Sequence, residues 1–203
     1  MSSQNPAAQQ AIAAEDPLTL FDAWLKEAEQ SEPNDPNAVA LATASAAGAP
    51  SVRMVLIKPT GGHRFCFFTN AESQKGRELA ENPRAALCFH WKSLRRQIRV
   101  EGRITELGPA DVDAYFHSRG RKSQIGAAVS NQSRPLQSRE ALEAAAQAFA
   151  ADHPGEIPPP AYWRGYHLHP EQIEFWIDGP NRLHDRFLFT QENDHWHKIR
   201  LYP

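Results

Sequence analysis

Apolar positions along the chain change their period twice. Leu20, Phe21, Trp24, Leu25 and Ala28 form one helical stripe, and Asp16-Pro17 supplies an acidic N-cap followed by proline at the first helical position. From Ala38 the spacing shortens to that of strands. Segments 38–45, 51–58 and 64–69, separated by Ala47-Gly48-Ala49-Pro50 and Gly61-Gly62, read as a β-meander. A short helix over 73–81 stops at Asn82-Pro83, and strands 85–90 and 97–107 follow. The helical period then returns over 109–119, 123–129 and 138–152, before a stiff proline-rich connector at 154–160. Four strands, 162–169, 172–177, 185–191 and 195–201, close the chain. Strands on both sides of a helical insertion predict a mainly β, α+β fold. The expected form is a small antiparallel barrel with peripheral helices, not alternating βαβ units.

Residues 1–15 carry few large apolar groups and are expected to form a disordered tail, leaving 16–203 as a single domain. The net charge of −2 over 203 residues gives no bulk attraction for nucleic acid or anionic membrane, so any anion site must be local. The apolar runs are too short to span a bilayer. Cys66 and Cys88 sit in apolar runs without a C-x-x-C pair, which reads as buried reduced thiols in a cytoplasmic protein. No Rossmann glycine fingerprint or P-loop is present, so a bound phosphate would be held by side chains.

Candidate chemistry starts at Arg182-Leu183-His184-Asp185-Arg186. In an extended segment Arg182, His184 and Arg186 share one face, which makes either a grip for a flat anionic ligand or a wet charged strand. Arg53-Met54-Val55-Leu56-Ile57-Lys58 brackets an apolar centre with two cations, either ligand contacts or snorkelling strand ends. Gln97 could offer paired amide groups to a flat heterocycle from the polar face of its strand. Tyr115 and Arg119 fall i, i+4 on one helix face, and Ser123 opens the next helix. A phenol, a guanidinium and a hydroxyl then make either a phosphate cup or an ordinary capped helix end. Ser73-Gln74-Lys75 and Ser130-Asn131-Gln132-Ser133 add donors at a helix start and after a helix. His167-x-His169 and His195-x-His197 read as surface histidines, and no metal is assigned to them.

In this order the residues resemble the pyridoxine (pyridoxamine) 5′-phosphate oxidase family. The likeness is carried by Pro17-Leu18-Thr19-Leu20-Phe21, the Arg53 to Lys58 run, Phe68-Thr69-Asn70, Arg96-Gln97, Tyr115-Phe116-His117-Ser118-Arg119, Ser123-Gln124-Ile125-Gly126, Gln132-Ser133, Gln172-Ile173-Glu174-Phe175-Trp176 and the Arg182 to Arg186 stretch. The resemblance implies an FMN-binding split β-barrel of Greek-key-like order. It also implies a homodimer with FMN at the subunit interface, and residues 160–203 contributing to the active site and that interface. The implied reaction oxidises pyridoxamine or pyridoxine 5′-phosphate to pyridoxal 5′-phosphate, with oxygen as acceptor and hydrogen peroxide as by-product.

By the same resemblance FMN would meet Arg53, Met54, Val55, Leu56, Lys58, Phe68, Thr69, Lys75, Gln97, Gln132, Ser133, Trp176 and Arg186. The substrate phosphate would meet Lys58, Tyr115, Arg119 and Ser123, with Arg182, Leu183 and His184 over the substrate ring and Arg182 and His184 as catalytic residues. Two departures stand out. Family members commonly carry arginine where this chain has Gln74, which removes a charge-assisted hydrogen bond of about 1.5 to 3 kcal/mol to the FMN phosphate. The basic, tyrosine-containing N-terminal segment of many members has no counterpart in residues 1–15, which hold no Arg, Lys or Tyr. Alternatives are a related flavin oxidase of a phenazine-type precursor and a non-catalytic FMN- or pyridoxal-phosphate-binding protein.

Overall fold

The computed structural model describes residues 5–203. In chain order its helices are α1 (Pro6–Ala13), α2 (Pro17–Ser31), α3 (Gln74–Glu81), α4 (Pro109–Ser118), α5 (Arg121–Val129) and α6 (Arg139–Asp152). Its strands are β1 (Ala38–Ala44), β2 (Pro50–Leu56), β3 (Cys66–Asn70), β4 (Arg84–Trp91), β5 (Arg96–Glu106), β6 (Trp163–Ile177), β7 (Asp185–Glu192) and β8 (His195–Leu201). All eight pair antiparallel in the order β2-β1-β4-β5-β6-β7-β8, with β3 paired to β6. The sheet does not close on itself, and the α+β class read from the sequence holds.

Two sequence expectations change. β3 leaves its chain neighbour β2 and pairs with the first half of β6, so the first three strands are no meander. The segments 162–169 and 172–177 fuse into the single strand β6. Pro170, which reads as a terminator, sits opposite a register shift between Glu101 and Gly102 where its missing N–H costs nothing. Gly102 makes that bulge possible, because a Cβ there would come within 1.9 Å of the His169 carbonyl oxygen. One edge of β6 therefore pairs with β5 on both sides of the bulge, while its opposite edge takes β3 and then β7.

α2 covers the larger core. Asp16 Oδ atoms accept from the Leu18 and Thr19 amides at 3.1 and 3.0 Å, and the buried stripe Leu20, Phe21, Trp24 and Ala28 faces the sheet. Phe21 meets Phe65 and Phe89 edge-on at 4.8 and 5.2 Å, and Trp24 meets Phe175 at 5.0 Å. Each such side chain stabilises the fold by about 1.5 to 3 kcal/mol. A second cluster joins Val112, Phe116, Ile125, Ile157 and Trp163, holding α4–α6 on the start of β6.

The N-terminal tail corrects another expectation: from Pro6 it is helical, and Ala7, Ala8 and Ala11 are buried; residues 1–4 lie outside the described part. Its apolar stripe is made of alanines, too small to register as a packing face. Gln10 accepts from the Trp24 indole N–H at 2.9 Å, and Lys198 Nζ donates to the Ala11, Ile12 and Ala14 carbonyls at the C-terminal end of α1.

His167 is also not the surface histidine its spacing suggested. It is buried, its ring stacks on His63 at 4.1 Å, and His169 lies 4.1 Å away. Burial first, then those two neighbours, holds its pKa down to about 4. Cys66 is buried and its thiol is pushed up to about 11, whereas Cys88 is only half-buried. No helix among the described residues is long and apolar enough to cross a membrane.

Gly102→Ala should lower unfolding free energy by roughly 2 kcal/mol or more, since backbone and not a flexible side chain blocks the new methyl. Urea unfolding at one protein concentration reads this, and an unchanged midpoint would refute the steric account of the bulge.

Candidate active site

β2 is built inside out. Ser51, Arg53 and Val55 turn toward the protein, while Val52, Met54 and Leu56 are 68%, 63% and 43% exposed on an edge strand. An arginine can face inward because acceptors await it. Arg53 Nη1 donates to Thr43 Oγ1 at 2.5 Å, and Nη2 donates to Ser51 Oγ at 2.5 Å and lies 3.4 Å from Glu78 Oε2. Glu78 accepts further from Ser51 Oγ at 2.6 Å, from Thr43 Oγ1, and from Gln74 Nε2 at 2.9 Å. Burial alone would raise this carboxyl, but the three hydrogen bonds and then Arg53 hold it at about 2.

α3 brings a second cation to the same place. Ser73 Oγ caps its start by accepting from the Gly76 amide at 3.3 Å, and Gly76 is obligatory because a Cβ would meet the Ala71 carbonyl oxygen at 2.2 Å. Lys75 in the first turn is buried. Its Nζ donates to Gln132 Oε1 at 2.9 Å, Thr69 Oγ1 at 3.1 Å and Ser73 Oγ at 3.3 Å, all neutral acceptors. Burial, and then the charge of Arg53, pushes its pKa down to about 8 against the pull of Glu78. Ser133, at a positive φ of 71°, presents Oγ to the Gln74 amide at 3.2 Å.

Opposite these cations stands an aromatic wall. Phe68 and Tyr115 stack at 3.8 Å, and Arg119 lies over Trp163 at 4.5 Å. α4 ends at Ser118, so Arg119 is extended, not helical as the i, i+4 reading assumed, yet both side chains reach the same cavity. Arg119 Nη1 is buried with no hydrogen-bond partner among the described residues, and desolvation pulls its pKa below the usual guanidinium value. A buried donor left open on a permanent cation favours an anionic ligand.

These elements enclose a cavity of about 550 Å³ lined by Arg53, Met54, Val55, Leu56, Phe68, Thr69, Lys75, Tyr115, Arg119, Gln132 and Ser133 of the expected residues. The other expected residues lie elsewhere in the chain. Lys58 borders a smaller cavity of about 330 Å³ beside Phe21 and Arg64, and Gln97 one of about 650 Å³ with Met54, Cys88 and His90. Ser123 is the third residue of α5 and exposed, so it opens no helix, Gly120 being the N-cap. Trp176 pairs with Gln97 on one side and Arg186 on the other. Arg186 is committed to Glu174 at 2.8 and 3.1 Å and to the Tyr202 carbonyl at 2.9 Å.

The shared strand face expected of Arg182, His184 and Arg186 does not form. Pro180–Arg182 is a 3-10 turn with Asn181 and Arg182 at φ of 55° and 63°, and β7 begins only at Asp185. Leu183 is 70% exposed. His184 instead lies against Trp176, ring centres 4.6 Å apart. Sequence reasoning did not find Thr43, Ser51, Glu78 or Trp163. The first two face Arg53 only through the β1–β2 register, which pairs Thr43 with Ser51. Glu78 and Trp163 belong to no motif that marks them in the sequence.

Residues 25–151 match the family described as pyridoxamine 5′-phosphate oxidase, and residues 163–203 match the pyridoxine 5′-phosphate oxidase C-terminal dimerisation region. Among curated relatives, a pyridoxine/pyridoxamine 5′-phosphate oxidase of Azorhizobium caulinodans is 54% identical over 207 residues, covering 100% of this chain and 98% of the relative. Another of Gluconobacter oxydans is 54% identical, covering 93% of this chain and 94% of its own. Among solved structures, PhzG from Burkholderia lata, in complex with tetrahydrophenazine-1-carboxylic acid, superposes with a TM-score of 0.90 at 30% identity, covering 100% of this chain and 99% of that one. A pyridoxamine 5′-phosphate oxidase-related, FMN-binding protein of Nostoc punctiforme shares the fold with a TM-score of 0.74 at 16% identity, covering 94% of this chain and 100% of that one.

Sulfate, whose charge is constant between pH 6.5 and 9.5, should bind the cavity more weakly as pH rises through about 8, where Lys75 gives up its proton. Lys75→Met should weaken binding and remove that pH dependence. Calorimetry at fixed ionic strength checks both, and a pH-independent affinity in the unaltered protein would take Lys75 out of the anion site.

Proposed function

Because the chain belongs to the pyridoxamine 5′-phosphate oxidase family, we propose that it oxidises pyridoxamine and pyridoxine 5′-phosphates to pyridoxal 5′-phosphate, using FMN and oxygen and releasing hydrogen peroxide, the amine also consuming water and releasing ammonia. Lys75 carries the reading: a buried cation, solvated only by neutral acceptors and set beside Arg53, is an anion site waiting for its charge. A phosphate monoester supplies that charge and enough oxygens for several donors. The residues present fit FMN on the chemistry of this donor set.

Arg53, Lys75, Gln132 and Ser133 would hold the FMN phosphate. Tyr115 and Arg119 would hold the phosphate of the substrate across the same cavity. Bound FMN would supply the redox chemistry, accepting a hydride equivalent from the substrate's C4′ carbon and passing the electrons to oxygen. The protein's own task is then orientation: two flat rings must meet within van der Waals contact, and a phosphate anchor at each outer end fixes their register. Gln74, in place of the family's arginine, is turned to Glu78 and adds no charge to the anchor.

The C-terminal dimerisation region makes the chain a homodimer subunit. The FMN site at the junction of two copies is part of the proposal, supported by two features. Val52, Met54 and Leu56 form an exposed apolar row on the edge strand, a surface that calls for a cover. The residues expected over the two rings, Gln97, Trp176, Arg182, Leu183 and His184, are absent from the chain's own cation-lined cavity. A second copy would bring its equivalents of these residues to it, and Met54, which borders both the 550 Å³ and the 650 Å³ cavities, marks the seam. Ser123 and Lys58, which border other surfaces, are no part of the phosphate anchor proposed for the single chain.

The likeness to PhzG favours a second reading, oxidation of a reduced phenazine carboxylate. Such a substrate carries no phosphate but does carry a carboxylate, which would also answer the open Arg119 Nη1 beside Trp163, so turnover and not this residue separates the two readings.

Anaerobic pyridoxamine 5′-phosphate should bleach the flavin of the FMN-loaded protein, and in air should release peroxide stoichiometrically. Bleaching by a tetrahydrophenazine carboxylate alone would transfer the assignment to the second reading. Arg119→Ala should raise KM for the phosphorylated amine by about 10- to 100-fold with kcat little changed, as one charge-assisted hydrogen bond is worth about 1.5 to 3 kcal/mol. An unchanged KM would remove Arg119 from the substrate anchor.

A further inference from the structure

At the far end of β6 from the cation-lined cavity, His184 has an environment that neither sequence spacing nor family membership specifies. Its Nδ1 accepts a hydrogen bond from the Gly179 amide at 3.1 Å, and the same nitrogen lies 3.2 Å from Asp178 Oδ1. Both side chains are 17% exposed. The two partners make opposite demands. A backbone N–H can bond Nδ1 only while that nitrogen carries a lone pair, which places the neutral ring's proton on Nε2. A carboxylate can bond it only when Nδ1 is protonated.

The surrounding chain holds both partners in place. Gly179 closes so tightly on the turn that a Cβ would meet the Leu183 carbonyl oxygen at 2.1 Å, and Asn181 and Arg182 take positive φ to complete it. Asp178 is anchored from behind: its other carboxylate oxygen pairs with Arg95, and its amide donates to the Arg95 carbonyl at 3.1 Å. Trp176 supports the imidazole from one side. The charged groups facing this ring are therefore Asp178 at the end of β6, with Arg95 of the β4–β5 turn behind it. Nε2 has no hydrogen-bond partner among the described residues.

We infer that Asp178 is a positioning residue that lets His184 carry its proton in either state without moving: the Gly179 amide satisfies the neutral ring, and the Asp178 carboxylate satisfies the imidazolium. Nε2 is thereby left as a donor of fixed direction. The inference rests on the proposed oxidase reading for the use made of that donor, toward the amine or alcohol of the substrate. The protonation geometry itself does not depend on that reading.

The test uses the FMN-loaded dimer with 15N-labelled histidine, His184 being assigned from a His184→Gln spectrum. In the unaltered protein the imidazole nitrogens should report the Nε2–H form at high pH and an imidazolium hydrogen-bonded at Nδ1 at low pH. Asp178→Asn should remove the Nδ1 hydrogen bond of the imidazolium from the spectrum, reduce kcat by about 10-fold or more, and leave KM for pyridoxamine 5′-phosphate and FMN content within twofold. Asp178→Glu should restore part of kcat, and Asp178→Ser gives the same reading should the amide variant not fold. Imidazole spectra and kcat unchanged in the Asn or Ser variant would overturn the inference. Absence of turnover in the unaltered protein would instead sink the oxidase reading, with the nitrogen spectra still deciding the role of Asp178.

Discussion

A single strand that pairs with three others sets the geometry of this protein. β6 lies along β5 from Tyr166 to Ile177 while β3 and β7 divide its other edge, so neither end can shift without breaking a ladder. At about 3.3 Å per residue its ends, Trp163 and Trp176, are up to roughly 40 Å apart along the strand. Trp163 supports the guanidinium of Arg119 at one end, and Trp176 supports His184 at the other. On the proposed reading these are two half-sites held at a fixed distance, and pairing with a second copy would bring unlike halves together.

Charge is handled differently at the two ends. Near Trp163 the inventory is cationic, and the one carboxylate of the network among the described residues, Glu78, is fully engaged by Thr43, Ser51, Gln74 and Arg53. It fixes the arginine without neutralising the lysine beside it. Near Trp176 the two cations of the flanking strands and turn are already answered, Arg186 by Glu174 and Arg95 by Asp178. One end is therefore short of negative charge and suited to hold a phosphate, whereas the other is balanced and suited to present a hydrogen-bond donor.

The sequence made the elements legible where the signal was local. Caps, proline and glycine marked α2–α6 and most strands to within a residue or two, because Asp16, Ser73 and Ser138 bond their own helix starts. What it hid were relations between distant segments. The partner of β3 lies about a hundred residues away, and the bulge that lets Pro170 sit inside β6 depends on Gly102 of another strand. The Arg182 turn was misread because Asn181 and Arg182 adopt a left-handed conformation with no glycine to announce it. Among site residues, those that are individually conspicuous, such as Lys75, Tyr115 and Arg119, could be named in advance. Thr43, Ser51, Glu78 and Asp178 could not, since each matters only through what it touches.

The contact between Lys198 and the end of α1 ties the start of the chain to its last strand. During synthesis α1 emerges well before Lys198, 187 residues beyond Ala11, whose ammonium closes its C-terminal carbonyls. Until β8 is complete, α1 has Trp24 of α2 and its packing on β6 and β7 to hold it, but no cation at its C-terminal carbonyls. An early-made helix thus completes its C-terminal end late, and a chain cut short before β8 would leave this helix end without its cation.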